Sequence, residues 1–275
     1  MVVRVIYINN FHFKINGLLV CDNFLIRDGN NRLNNYVLYD LDERKSIKEF
    51  GGKYGLDNVI LSNDKKRALG VSTKFISECD LESNKVTTLF RERENSGNII
   101  NCARYIPNDN ERISFQMEKN IYILNRNDGS LQSVLSAEMG FCWIDDTKVA
   151  YLHNTKMYMH DFKSKETKLI ANKGIKPEVS NNRNYLVYYE GFGGKKANLV
   201  LFNLNKWEIE KKFSIAGDTF CYKFSPDDKY IAYTHLKNSI MGSYMGRLSV
   251  IDISNEYSKE MINEFGSRHF EWVSK

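Results

Sequence analysis

The sequence YKFSPDDKYIAY at residues 222–233 places a polar turn between two short apolar runs. That pattern is typical of two antiparallel strands joined by a tight hairpin. Weaker copies occupy residues 60–69 and 177–188, and two more begin at Ala103 and Phe141. Because the pattern recurs along the chain, we interpret each copy as the inner strand pair of one structural repeat.

A second pattern, a strand followed by a tight turn, occurs six times and aligns without gaps. Its copies span residues 36–45, 76–85, 121–130, 157–166, 199–208 and 248–257. The fifth position is Asp or Asn in every copy, namely Asp40, Asp80, Asn125, Asp161, Asn203 and Asp252. A short Asx side chain accepts hydrogen bonds from backbone N–H groups two residues on and so sets a turn. The starts lie 36 to 49 residues apart, a spacing that four-stranded propeller blades show.

The segment FSPDDKYIAY at residues 224–233 resembles the FSPDGKxIAY signature of TolB-like propellers, and the whole repeat is similar to those of TolB-like and WD-repeat-like propellers. The resemblance implies a fold and carries no active site. The role of TolB, which works in the periplasm beside a second domain, is not transferred. We expect neither a signal peptide nor a second domain in this chain.

We predict an all-β fold, a six-bladed β-propeller of four-stranded antiparallel blades, as a single domain over residues 1–275. The ring is expected to close with strands from both termini. Residues 270–273 would then supply the inner strand of the first blade, beside residues 24–26 and 36–39. Seven blades are the alternative, in which residues 2–13 build a partial blade with the C-terminus.

Composition and charge narrow the classes of function. The net charge is +5, with basic and acidic residues mixed along the chain, so we expect no nucleic-acid or membrane partner. No apolar stretch approaches the roughly 18 residues of a transmembrane helix. The five cysteines form no closely spaced pair, which argues against a disulfide framework or a zinc site. We therefore expect a reduced, cytoplasmic monomer without a cofactor.

Three of the turns between second and third strands are long, at residues 27–35, 191–198 and 236–247, and they belong to the first, fifth and sixth repeats. In a closed ring of six these repeats are neighbours, so one sector of one face is built up. Long loops carry function more often than short ones. The predicted partner-binding residues in this sector are Arg27, Asn31, Arg32, Phe192, Lys195, Lys196, Met241, Tyr244, Met245 and Arg247.

A polar set occupies equivalent positions at the ends of three second strands: His153, Glu190 and His235. Such a set would suit proton transfer or metal binding. Equivalent atoms on neighbouring blades should however lie on the order of 10 Å apart, about the spacing of packed sheets. We therefore interpret the set as solvated or structural, and we predict neither a metal site nor a catalytic residue.

The function predicted from these observations is a non-catalytic scaffold that binds a protein on its loop-rich face. One alternative is a propeller enzyme of the lactonase or lyase type with an axial metal site. Another is a propeller that binds a small molecule or a sugar. The residues around the central channel discriminate between these functions, because an axial metal site needs a ring of Asp, Glu, Asn or His.

Overall fold

The computed structural model describes residues 18–23, 27–28, 31–32, 35–40, 45–51, 58–62, 64–93, 96–191, 197–215, 219–236, 246–265 and 270–273. Every regular element in these ranges is a β-strand. The prediction of an all-β propeller with four-stranded antiparallel blades is confirmed. In the part of the chain that the structure describes, no helix has the length and apolar character needed to cross a membrane.

Five blades are each built from four strands that are consecutive in sequence, and we name them blades A to E. Blade A contains Asn58–Leu61, Arg67–Val71, Phe75–Asp80 and Val86–Arg91; blade B contains Ile100–Tyr105, Arg112–Met117, Asn120–Asn125 and Leu131–Ser136. Blade C contains Glu138–Trp143, Lys148–His153, Lys156–Asp161 and Thr167–Ala171; blade D contains Ile175–Val179, Tyr185–Glu190, Ala197–Asn203 and Glu208–Ile215. Blade E contains Thr219–Phe224, Tyr230–Leu236, Gly246–Asp252 and Tyr257–Phe265.

One further four-stranded sheet is composite, and we call it the closing sheet. Its strand order is Phe270–Val273, Leu18–Asn23, Asn35–Asp40 and Lys45–Gly51. Leu18 lies opposite Val273, and Cys21 lies opposite Phe270. The two innermost strands of this sheet are therefore far apart in sequence. The short strands Arg27–Asp28 and Asn31–Arg32 pair separately.

The predicted blade count of six, with seven as the alternative, is corrected by this topology. The structure has five blades made of consecutive strands, together with the composite closing sheet. The partner of Phe270–Val273 is Leu18–Asn23. Residues 24–26, which we expected in that sheet, and residues 2–13, on which the seven-blade alternative depended, lie outside the described residues.

Asx side chains hold the turns between third and fourth strands. In blade E, Asp252 Oδ1 accepts hydrogen bonds from the backbone N–H groups of Ser254 at 2.9 Å and Asn255 at 3.2 Å. In blade D the neutral Asn203 Oδ1 accepts the same two bonds, from Asn205 and Lys206, both at 3.0 Å. The turn therefore needs the short side chain and its oxygen, which is why Asp and Asn alternate freely at this position.

Apolar faces of neighbouring blades form the core. Between blades D and E, Val187 and Leu199 pack with Tyr222 and Ile231, and all four side chains are buried. Corresponding clusters lie between blades A and B and between blades C and D. Stacking blades in this way buries both faces of each sheet, which one blade cannot do alone.

The innermost strands of blades B, C, D and E all contain a β-bulge. A bulge adds a residue to one strand, and it changes the direction in which nearby side chains point. The bulged residues Met139 and Lys176 have positive φ values of 46° and 52°. Residues other than Gly adopt that conformation at a cost of about 1–3 kcal/mol, which draws attention to the inner ends of these blades.

Candidate functional site

One position recurs in the innermost strand of every four-stranded sheet, where a single residue stands between apolar or aromatic neighbours. In blades A to E it is the penultimate residue of the strand, and in the closing sheet it is the second residue. We call these residues the inner ring: Ile60, Arg104, Cys142, Glu178, Lys223 and Glu271. All except Cys142 line a cavity of about 850 Å³ bounded by the innermost strands, which we call the axial cavity.

Four residues of the inner ring form a chain of alternating charge. The Arg104 guanidinium donates to Glu178 Oε1. Lys223 Nζ lies 3.1 Å from Glu178 Oε2 and 2.9 Å from Glu271 Oε1. Both carboxylates are therefore neutralised by cations, and each ion pair joins two different sheets. This series of ion pairs links blades B, D and E and the closing sheet at the wall of the cavity.

These ion pairs and the burial of the site shift the pKa values of Glu271 and Lys223. Burial raises the pKa of Glu271 above its ordinary value of 4.5, and the nearby Lys223 partly opposes that increase. Burial opposes the charged form of Lys223, yet the carboxylates of Glu178 and Glu271 hold its pKa above its ordinary value. Among the described residues, no group of three or more His, Cys, Asp or Glu side chains is placed to hold a metal ion.

A second layer of residues lies beside the inner ring: Cys102, Lys176 and Cys221 also line the axial cavity. Burial lowers the pKa of Lys176 and raises the pKa of Cys221 to about 11. The structure records Cys102 and Cys221 as free thiols. With raised pKa values these thiols stay protonated at neutral pH and are poor nucleophiles.

Two contacts from the Tyr222 hydroxyl hold the backbone that carries Lys176. The Tyr222 hydroxyl of blade E lies 2.9 Å from the Ile175 carbonyl oxygen and within hydrogen-bonding distance of the Lys176 carbonyl oxygen. Gly140 of blade C lies beside this bulge. A Cβ at position 140 would be 3.6 Å from Lys176 Cα, which is an ordinary van der Waals distance. The Gly140 N–H in turn donates to Gln116 Oε1 at 2.9 Å. Blade E thus contacts the bulge of blade D directly, and Gly140 of blade C lies beside that bulge.

The rim of the cavity combines exposed apolar and charged side chains. Ile99 and Met139 are 46% and 48% exposed, although both are large and apolar. Glu118, Lys119 and Glu138 line the cavity beside them. Glu118 Oε1 accepts from the Ile99 N–H at 2.9 Å, which connects the segment before blade B to its turn between second and third strands. We call these five residues the rim.

The predicted partner-binding residues fall mostly outside the described side chains. Met241, Tyr244 and Met245 lie outside the described residues, as do Phe192, Lys195 and Lys196. Arg27, Asn31 and Arg32 belong to the two short paired strands, and only their backbone is described. Arg247 is half-buried, and its guanidinium donates to Glu260 within blade E.

The polar set His153, Glu190 and His235 is not part of a metal site among the described residues. Glu190 pairs with Lys212 at 3.0 Å and Lys173 at 3.5 Å, both from its own blade or the segment before it. His235 is buried, its Nε2 lies 3.0 Å from Ser249 Oγ, and burial lowers its pKa. His153 Nδ1 is buried without a hydrogen-bond partner in the described part of the chain.

The comparisons with known proteins bear on the fold. No family model and no curated protein matches the sequence. Among solved structures, TolB from Acinetobacter baumannii superposes with a TM-score of 0.74 at 13% identity, over 96% of this chain and 67% of that one. The fold is a TolB-like β-propeller. A chain of a nidogen/laminin complex has a TM-score of 0.65 at 12% identity, over 94% of this chain and 98% of that one.

Other propellers of similar architecture are enzymes. An oligogalacturonate lyase in complex with manganese has a TM-score of 0.58 at 12% identity, over 84% of this chain and 71% of that one. The chain spans 67% of the TolB chain and 65% of a hydrazine synthase chain from Kuenenia stuttgartiensis. At these identities the likeness concerns architecture, and one architecture hosts many functions.

The inner ring and Lys176 were not predicted from the sequence. A signal for the ring was present, because Ala103-Arg104-Tyr105, Tyr222-Lys223-Phe224 and Phe270-Glu271-Trp272 each place a charge between apolar residues of an inner strand. A charge in a buried strand usually needs a partner. Lys176 had no such signal, since its position depends on a bulge and a positive φ.

Proposed function

We propose that this propeller is a non-catalytic binding module whose protein partner contacts the rim of the axial cavity. The observation that carries the proposal is the pair of exposed apolar side chains, Ile99 and Met139, beside the charged Glu118, Lys119 and Glu138. Protein-binding surfaces commonly surround apolar anchors, Met among them, with a polar edge. Met139 also holds a positive φ in the bulge of blade C, a conformation that is more often kept at binding sites than elsewhere.

The inner ring favours binding over metal-assisted catalysis. Its two carboxylates already accept from Arg104 and Lys223, so neither presents a free pair of oxygens to a cation. The similarity to a lyase in complex with manganese rests on architecture alone. The similarity to TolB and to a chain of a nidogen/laminin complex agrees with a protein partner and identifies none.

The long-loop sector extends this proposal to a second area. Residues 27–35, 191–198 and 236–247 connect second and third strands, as does the turn that carries Glu118 and Lys119 in blade B. We propose that the same partner reaches from the rim toward this sector, where Tyr244 and Met245 supply further contact area.

A cross-linking experiment tests the proposal. A photoreactive amino acid is placed at position 139 and, as a control, at position 131, where Leu131 is 41% exposed on the outermost strand of blade B. We expect position 139, irradiated in host lysate, to give one defined protein adduct that position 131 does not give. The variant pair Ile99→Ser and Met139→Ser should abolish capture, while Leu131→Ser with Leu169→Ser should leave it unchanged.

Two results would overturn the proposal. Equal capture by the Ile99→Ser, Met139→Ser variant would move the partner site away from the rim. A rise in melting temperature on adding Mn²⁺ alone, lost in Glu178→Gln and Glu271→Gln variants, would favour the metal-dependent enzyme instead. The long-loop sector is tested separately with Tyr244→Ala and Met245→Ala, which should weaken capture without changing thermal stability.

A further inference from the structure

We propose that Gln116 is a positioning residue, whose side-chain amide holds the rim in the conformation that presents Ile99 and Met139. The partner therefore meets a surface that is already formed, which lowers the ordering cost of binding. The inference rests on the protein contact proposed at the rim. It assigns a role in that contact to a side chain that is itself fully buried.

The side-chain amide of Gln116 uses both of its N–H donors and both acceptor positions of its oxygen. Nε2 donates to the Ala137 carbonyl oxygen at 2.9 Å and to the Glu118 carbonyl oxygen at 3.3 Å. Oε1 accepts from the Gly140 N–H at 2.9 Å, and the Cys102 thiol lies 3.8 Å from it as a weak donor. Only one orientation of the amide satisfies these partners, because a rotated amide would direct its own N–H groups at the Gly140 N–H.

These bonds join the three segments that carry the rim. Ahead of blade B, the Ile99 N–H donates to Glu118 Oε1 at 2.9 Å, and the Ile99 carbonyl oxygen accepts from the Glu118 N–H at 3.1 Å. Between blades B and C, the Ala137 N–H donates to the Lys119 carbonyl oxygen at 2.8 Å. Gln116 completes the connection from the interior, since its amide reaches both the turn at residues 118–119 and the segment that follows blade B.

The segment that carries Met139 needs such support, because its backbone has an uncommon conformation. Met139 has a φ of 46° and Gly140 a φ of 97°, and both lie in the bulge between Glu138 and Phe141. A residue other than Gly keeps a positive φ only where its surroundings impose it. The hydrogen bond from the Gly140 N–H to Gln116 holds the peptide group directly after Met139.

The blade itself does not require Gln at this position. Counted from the residue that pairs with the Asx residue of the turn, the equivalent positions of the other blades hold buried Val71, Leu152, Tyr189 and Thr234. Two of these four side chains are purely aliphatic, so the fold accepts an apolar residue here. A buried amide is less favourable than an apolar side chain unless its hydrogen bonds are made. The amide of Gln116 therefore serves the segments that it contacts.

Hydrogen exchange at the Gly140 amide tests this positioning directly. Gln116→Leu removes the acceptor of that amide and introduces the side chain that blade C holds at the equivalent position. We expect the Gly140 amide to exchange at least about tenfold faster relative to the amides of blade D, because the hydrogen bonds that keep its segment closed are lost. NMR on the full-length protein gives both rates. Unchanged protection of Gly140 would overturn the proposal.

Ser114→Ala is the matched control, since Ser114 is a buried polar residue of the same strand. Its hydroxyl accepts from Trp143 Nε1 at 2.8 Å, which is a bond between blades B and C that does not involve the rim. This variant should lower the melting temperature, yet leave the exchange of Gly140 relative to blade D within about twofold of wild type. Equal acceleration in Ser114→Ala and Gln116→Leu would show a general stabilising role and overturn the proposal.

Gln116→Glu at pH 5 is the rescue experiment. Burial favours the neutral carboxyl, which has one O–H donor for the Ala137 carbonyl oxygen and an acceptor for the Gly140 N–H. Protection of Gly140 should therefore stay within about threefold of wild type at the same pH, since the loss is one hydrogen bond. Exchange as fast as in Gln116→Leu would show that the shape of the side chain matters rather than its hydrogen bonds.

The photoreactive residue at position 139 links the exchange result to binding. In the Gln116→Leu background its adduct yield from host lysate should fall at least about threefold, and in the Ser114→Ala background it should not change. Undiminished yield in Gln116→Leu, with Gly140 opened, would overturn the positioning role and leave the rim contact intact. If the wild type itself gives no adduct, the rim contact is overturned instead, and the exchange of Gly140 still shows whether Gln116 holds the segment.

Discussion

The outer turns and the inner ring are both repeated positions, yet they repeat in opposite ways. The turns carry the same chemistry in every blade, as in Asp252 of blade E and Asn203 of blade D. The ring residue varies in type from sheet to sheet, from the apolar Ile60 to the half-buried Lys223 and Glu271. The turn satisfies backbone hydrogen bonds of its own blade, whereas a charged ring residue pairs with a residue of another sheet.

That difference determines what a substitution should cost. A turn residue is replaceable by any side chain that accepts the same backbone hydrogen bonds. A charged ring residue is replaceable only together with its partner, because a charge left alone away from water is far less stable than a charge pair.

The largest effect is expected at Lys223. Lys223→Met removes the cation that contacts both Glu178 and Glu271, so we expect a loss of about 3–5 kcal/mol in the free energy of unfolding. Chemical denaturation measures it. Lys229→Met is the matched control, since Lys229 is exposed and its pair with Asp227 should contribute less than about 1 kcal/mol. Similar losses in the two variants would contradict the contrast drawn here.

A smaller effect is expected at the turns. Asp252→Ala removes the acceptor of the Ser254 and Asn255 N–H groups and should cost about 1 kcal/mol, as loss of a helix-capping side chain does. Asp252→Asn should cost less than about 0.5 kcal/mol, because Asn203 and Asn125 already fill this position in other blades. An Asn variant as unstable as the Ala variant would show that the charge matters as well as the acceptor.

The stability that the Asp252 carboxylate contributes should depend on pH. Burial alone would raise the pKa of Asp252. Hydrogen bonds from Ser254 and Asn255 outweigh burial and hold that pKa below its ordinary value of 3.8. The unfolded chain therefore takes up the proton first, so the stabilisation is complete well above pH 4 and is lost as pH falls through the lowered pKa. We expect the stability difference between wild type and Asp252→Asn to shrink between pH 6 and pH 3, measured by urea denaturation. A constant difference would contradict this origin.

The smallest effect concerns the thiols, and it changes a rate rather than stability. Burial raises the pKa of the ring residue Cys142, while Cys102 in the second layer is only half-buried. A thiol reagent should label Cys102 before Cys142 in the native protein, and both should react at least about tenfold faster after denaturation. Mass spectrometry of labelled peptides gives the order. Thiols that stay unreactive in the denatured, unreduced protein would indicate a disulfide.

The repeated features of the fold were predictable and the unrepeated ones were not. The hairpins around 60–69 and 222–233 and the Asx turns recur, so each copy supported the others, and the structure has strands and turns at those places. The strand that pairs with residues 270–273 in the closing sheet was harder to predict, since residues 18–21 and 24–26 are both short apolar runs. Periodicity alone does not distinguish them, and the inner strand pairs with the first run.

The candidate site depended on features that a single sequence displays poorly. Ile99 and Met139 appear in the sequence as ordinary apolar residues of strands, and only the packing of the blades leaves them exposed. Nothing in the sequence distinguishes Lys176 from the other lysines, and its place in the cavity wall depends on the bulge in its strand. Loop length, the signal used to predict the partner face, indicates the long-loop sector, which stays a prediction.

The closing sheet has a consequence for how the chain reaches its native state. Strands within blades A to E pair with sequence neighbours, so each of these hairpins can form within microseconds once its residues are available. Leu18–Asn23 must instead wait for Phe270–Val273, which a ribosome adding about 5–20 residues each second makes much later than Leu18–Asn23. For about 12–50 seconds the nascent protein is an open arc in which Leu18–Asn23 lacks this strand partner. Ring closure is therefore the slow, non-local step at which chaperones would be most useful during synthesis.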